Sequence, residues 1–111
     1  MAKVSFEGIG EMMVTFLAEE GLTNGPVKMT GDGKVGPCGD GDAFCGVALE
    51  PRKGAAAVQV KGFVTVSCTG DLALGWTTLA ADGQGGVKAA ASGGVTVLVV
   101  SAGSGSAVVC L

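Results

Sequence analysis

Ala55-Ala56-Ala57-Val58-Gln59-Val60-Lys61-Gly62-Phe63-Val64-Thr65-Val66-Ser67-Cys68 is the stretch that decides the fold class. Val58 and Val60 alternate with Gln59 and Lys61, and Val64, Val66 and Cys68 alternate with Thr65 and Ser67. A period of two carried by β-branched residues belongs to strands, where successive side chains point to opposite faces. The pattern predicts a core face of valines and a polar face holding Gln59 and Lys61. Gly62 lies between the two halves, where it predicts a bend or bulge.

The same grammar extends in both directions. Val95-Thr96-Val97-Leu98-Val99-Val100 is the strongest strand by propensity, and Ala107-Val108-Val109-Cys110-Leu111 follows after a small-residue turn. Trp76-Thr77-Thr78-Leu79 and Val87-Lys88-Ala89 flank the glycine-rich tip Asp82-Gly83-Gln84-Gly85-Gly86 as a hairpin. Toward the N-terminus, Pro26 to Thr30 and Phe44 to Leu49 read as short strands, with Glu50 to Gly54 as an exposed connection. Glu11 to Leu17 is apolar on both faces and reads as a strand buried on two sides, with a helix as the alternative. Turn signals recur about every 8 to 12 residues. The expected fold is all-β: a single small β-sandwich or barrel-like domain of short strands with Gly-rich turns and little or no helix. Residues 11–111 form that domain, and residues 1–10 form an N-terminal arm or first strand.

Composition agrees. The 111 residues suffice for one domain, and 21 glycines with only three prolines, without a triplet period, exclude collagen. A mean hydropathy of +0.54 at a net charge of −3 opposes disorder. The seven basic residues, Lys3, Lys28, Lys34, Arg52, Lys53, Lys61 and Lys88, are scattered, so nucleic acid is not expected as a partner. The longest purely apolar run is Ala107 to Leu111, far short of a membrane helix, and the N-terminal residues lack a signal-peptide core. No membrane partner is expected.

Catalytic chemistry is poorly supplied. The chain has no His and no Tyr, which removes Ser-His-Asp and Cys-His arrangements and the commonest metal ligand. No enzyme activity and no cofactor are expected. Gly31-x-Gly33-x-x-Gly36 matches a dinucleotide fingerprint in letters, but Pro37 and a Gly/Asp loop stand where a helix would have to open. Asp40-Gly41-Asp42, with Asp32 nearby, carries the alternative function: a small ligand- or calcium-binding β-barrel module. An EF-hand loop from Asp40 would require Glu at its twelfth position, where Pro51 stands. Asp-Gly turns account for these residues more simply. Glu11, Glu19 and Glu20 lack the aromatic platform expected of a sugar site, and Ser101 to Ser106 lacks the strand–helix context of a hydrolase elbow. Cys38, Cys45, Cys68 and Cys110 contain no Cys-x-x-Cys pair and are expected as free thiols, although two disulfides are formally allowed.

Contact residues are the remaining candidates. Trp76 is the single tryptophan, suited to an interface or to the core. Lys3, Val4, Ser5 and Phe6 precede two glycines and form an apolar–polar alternation suited to strand addition on a partner, or to an ordinary first strand.

Several segments, taken in order, resemble a known family. They are Gly25-Pro26-Val27-Lys28-Met29, the Gly31-Asp32-Gly33 turn, Asp42-Ala43-Phe44-Cys45-Gly46-Val47-Ala48, Ala57 to Val64, and Leu79 to Val87. Together they resemble the small capsid decoration, or cement, proteins of tailed phages and prophages, over approximately Leu22 to Leu111. The N-terminal stretch to Gly21 departs from that pattern. The resemblance implies a non-catalytic virion protein, made in the bacterial cytoplasm and placed on the outer capsid surface. It further implies the major capsid protein as partner and a homo-oligomer, with a trimer favoured. Lys3, Val4, Ser5, Phe6 and Trp76 are then the expected capsid or subunit contacts.

Overall fold

A computed structural model describes residues 11–111. The described chain is all-β, with ten strands: β1 (Met12–Ala18), β2 (Gly25–Gly31), β3 (Lys34–Pro37), β4 (Gly46–Arg52), β5 (Ala55–Lys61), β6 (Phe63–Ser67), β7 (Gly75–Ala81), β8 (Val87–Ala89), β9 (Val95–Ala102) and β10 (Ser106–Cys110). Strands β1 to β5 close a barrel in the order β1-β3-β2-β4-β5, and β6 to β10 form a second sheet in the order β6-β10-β9-β7-β8. The expectation of a small barrel-like β domain with glycine-rich turns is met.

Gly62 separates the two sheets. It adopts φ +96°, a left-handed conformation that side chains resist, so β5 and β6 leave it in different sheets. Gln59 corrects the sequence reading of its face. Its neighbours alternate as expected, yet Gln59 is only 2% exposed. It faces outward from the barrel, but that side of β5 is covered by the second half of the molecule. Its Nε2 donates to the carbonyls of Lys61 at 3.1 Å and Phe63 at 2.9 Å, which keeps the buried amide hydrogen-bonded where the chain leaves the ladder.

Two apolar clusters follow from the two sheets. Ala18, Val27, Val35, Ala48, Ala56 and Val58 fill the barrel. Val64, Val66, Leu79, Val87, Val97, Val99, Ala107 and Val109 face inward from the second sheet and are joined by Phe44 and Val47 from the first half. Alternation on β4 explains the sharing: Ala48 points into the barrel while Val47, its neighbour, points across to the second sheet. The second sheet is nearly closed as well, because Cys68 bridges to Val87 and the Thr69 amide donates to the Val87 carbonyl at 2.9 Å.

Two further boundaries differ from the sequence reading. Strand β4 continues to Arg52, past an irregularity between Leu49 and Arg52, so the connection expected over Glu50 to Gly54 shrinks to Lys53-Gly54. Strand β1 exists as a strand and not a helix, but it is not buried on two sides: Met12, Met13, Val14, Thr15 and Leu17 are all exposed. The cause is the pairing. β5 lies along the whole of β1, whereas β3 meets it only at Leu17 and Ala18.

Candidate functional site

The outer face of the second sheet carries a row of apolar side chains across four strands. Trp76 on β7 pairs with Leu98 on β9, Leu98 with Cys110 on β10, and Cys110 with Phe63 on β6. Directly paired residues point to the same side of a sheet. All four therefore lie opposite the Val64–Val109–Val99 row, which is buried. Trp76 is 75% exposed, so it anchors no core, and Leu74 just before the strand is 68% exposed.

Local hydrogen bonds hold this edge of the row in place. The Thr77 hydroxyl donates to the carbonyls of Ala73 at 3.0 Å and Gly75 at 3.2 Å, which ties down the turn bearing Leu74. Thr78 and Thr96, paired on the same face as Trp76, share a hydroxyl hydrogen bond of 3.2 Å. The result is an aromatic and aliphatic surface with a small polar border at Thr78 and Thr96. Exposed Trp and Leu side chains are suited to an intermolecular contact.

Of the predicted contact residues, Trp76 lies on this surface, while Lys3, Val4, Ser5 and Phe6 lie outside the described residues. Leu98, Cys110, Phe63 and Leu74 were not singled out from the sequence. Their signal was present in Val97-Leu98-Val99-Val100: an uninterrupted apolar strand has an apolar outer face as well as a core face.

The aspartates do other work. Asp42 accepts from the Lys28 ammonium at 2.6 Å and the Gly39 amide at 2.8 Å. The Lys28 bond first, then the Gly39 amide, holds its carboxyl below the usual range, and Asp42 in turn raises Lys28. Asp40 pairs with Lys88 at 2.6 Å, and Asp32 sits in the β2–β3 turn. Among the described residues no group of three or more His, Cys, Asp or Glu gathers as a metal site would need. These loops instead stitch the halves together: Gly41 donates to the Ala81 carbonyl at 2.8 Å and Ala81 donates to the Asp42 carbonyl at 2.9 Å. The Gly31-x-Gly33-x-x-Gly36 segment is a β-hairpin turn leading into β3, with no helix opening on it.

Asp82 performs a similar function in the β7–β8 tip. Partial burial raises its pKa, but the Thr69 hydroxyl and the Gln84 and Gly86 amides outweigh that and bring it below the usual value. A cleft of about 500 Å³ lies beside this tip, lined by Leu22, Asn24, Pro26, Cys38, Ser67 and Gly83–Gly86 among others. All four cysteines are free thiols. Burial, followed by the Asp42 charge, pushes the Cys38 thiol up to about 11.

No protein-family model matches the chain, and a search of curated proteins finds no match either.

Proposed function

We propose that this chain is a non-catalytic virion protein that binds the outer surface of an assembled phage capsid and stabilises it, with the Trp76 face as its contact surface. The single observation that carries the reading is the outward-facing row Trp76–Leu98–Cys110–Phe63, in which Trp76 is exposed and the other three are half-buried, with exposed Leu74 just before it in the chain. It joins the ordered sequence resemblance to capsid decoration proteins over Leu22 to Leu111.

The size of the patch supports attachment to a repeating surface. Only Trp76 and Leu74 are largely exposed in it, whereas a standard stable interface takes about 20–30 residues from each partner. Contacts this small become effective when many copies, or the subunits of a homotrimer, engage neighbouring capsid sites together. Binding to the assembled shell and not to its dissociated subunits stabilises the shell by mass action. The major capsid protein is the partner in this reading, and the virion surface is the location.

The test is co-sedimentation of the purified protein with expanded shells of its major capsid protein, followed by thermal disruption of the decorated and bare shells. Binding with a higher disruption temperature supports the proposal. A protein that does not bind, or that binds without changing the disruption temperature, refutes it. The second reading, a small-ligand module, rests on the cleft beside Gly83–Gly86. Chemical-shift changes confined to that cleft in a fragment screen would favour it.

A further inference from the structure

The two sheets are built on one plan. In the barrel β1 lies antiparallel to β5 and parallel to β3, and β2–β3, β2–β4 and β4–β5 are antiparallel. In the second sheet β6 lies antiparallel to β10, Cys68 just past β6 bridges Val87 of β8 in parallel, and β7–β8, β7–β9 and β9–β10 are antiparallel. Single bonds repeat as well. Ala18 donates to the Gly54 carbonyl at 3.1 Å and Cys68 to Gly105 at 3.0 Å, while Glu19 donates to Val35 and Thr69 to Val87, both at 2.9 Å. Following the ladders outward from these bonds, Val14 takes the place of Val64, Pro26 that of Trp76, and Met29 that of Ala81.

Equivalent surfaces are covered in one half and bare in the other. The outer row Pro26–Val47–Gln59 of the barrel is buried, and Val47, with Phe44, joins the cluster that holds Val64, Val66 and Val87 of the second sheet. The matching outer row of the second sheet is Trp76–Leu98–Cys110, where Trp76 stands exposed. On the receiving side Val64 and Ala81 are buried, whereas their counterparts Val14 and Met29 are 36% and 46% exposed. A third position agrees. A Cβ on Gly25 would lie 2.7 Å from the Gly85 carbonyl oxygen, so the β7–β8 tip rests against the start of β2; on the counterparts, Gly75 and Gly33, a Cβ would meet nothing within 4 Å. Among the described residues, every exposed large hydrophobic lies on β1, at Met29, or at Leu74 and Trp76.

We propose that the halves are two copies of one five-stranded module and that their contact is repeated between molecules, the Trp76 face of one copy seating against the Val14–Met29 opening of the next. The occupant is a second copy of this chain, and the contact is heterologous: each copy offers one face and one opening. Apolar surface meets apolar surface, as it does inside the chain. A Trp76 face held by a second copy is closed to a shell, so self-association competes with the capsid attachment proposed above. It is measured without shells and stands or falls separately.

Sedimentation equilibrium of the full-length protein, up to about 1 mM, should show association. Emission from Trp76, the single tryptophan, should move to shorter wavelength as concentration rises. Trp76→Glu and Met29→Glu should each weaken association roughly tenfold or more. An equimolar mixture of the two should nevertheless form a one-to-one dimer, through the intact face of one and the intact opening of the other. Should Met29→Glu misfold, hydrogen exchange of the wild-type protein gives the second reading, with protection rising on concentration at both β7 and the β2–β3 turn. Four results would overturn the proposal: a monomer throughout the series, as residues 1–10 of the same chain filling the opening would give; association of Met29→Glu at wild-type strength; a mixture that stays monomeric; or protection at only one of the two surfaces.

Discussion

Gln59 reaches past Gly62 to Phe63: its side-chain Nε2 donates to the Phe63 carbonyl at 2.9 Å, spanning the point where the chain passes from the barrel to the second sheet. A second bond to Lys61 fixes the other side of that bend. Gln59→Ala would leave a cavity and two carbonyls without this donor, at a cost of about 2–4 kcal/mol. Gln59→Leu preserves volume but not the hydrogen bonds, so it should also lose stability. Urea denaturation of both variants checks this, and a leucine variant as stable as wild type would show that the hydrogen bonds contribute nothing net.

Gly46 offers a steric test. A Cβ there would lie 2.6 Å from Val58 Cγ1 and 2.7 Å from the Gln59 carbonyl oxygen, closer than packed atoms tolerate. Gly46→Ala should therefore destabilise by about 1–3 kcal/mol, read as a lower denaturation midpoint with an unchanged slope.

Asp42 and Asp82 set the response to acid. Both carboxyls titrate below their ordinary value in the folded protein, so their contribution is full above about pH 4 and fades as pH falls through the lowered values. Thermal melts from neutrality to about pH 2 should show falling stability. Asp82→Asn removes the charge that accepts from Thr69, Gln84 and Gly86 and should flatten part of that fall while lowering stability at pH 7 by about 1 kcal/mol.

Trp76→Ala tests the proposed capsid contact separately from folding. Because the side chain is exposed, the melting free energy should change by no more than about 0.5 kcal/mol. Affinity for expanded capsid shells should fall roughly tenfold or more. A large loss of stability would instead place Trp76 in a structural role.

Cys38 should resist thiol reagents. With its thiol pushed up to about 11, first by burial and then by Asp42, the thiolate is scarce at pH 8. Mass-spectrometric labelling should modify it more slowly than an unfolded-chain cysteine, and denaturant should abolish the difference.

Much of the fold is legible in local pattern, because alternation and turn residues act over a few neighbours. The Val64/Val66 face, the break at Gly62 and the strand from Val95 are all of this kind. The failures concern partners remote in sequence. Gln59 looks solvent-facing until the second half of the molecule covers β5. Glu11 to Leu17 looks doubly buried until β3 stops pairing after two residues. Trp76 left two readings open, since one side chain does not announce its face, and only its pairing with Leu98 puts it opposite the core. The row that includes Phe63 and Cys110 depends on strand order, which no local window contains.

The position of Gly62 also bears on how the protein is made. Every strand pair of the barrel joins residues before it, and every strand pair of the second sheet joins residues after it. As synthesis proceeds from the N-terminus, the barrel's complete set of hydrogen-bonding partners leaves the ribosome before the first strand of the second sheet. The growing chain can settle its first ladder without waiting for its last residue, and the shared cluster around Phe44 and Val47 then receives the later half.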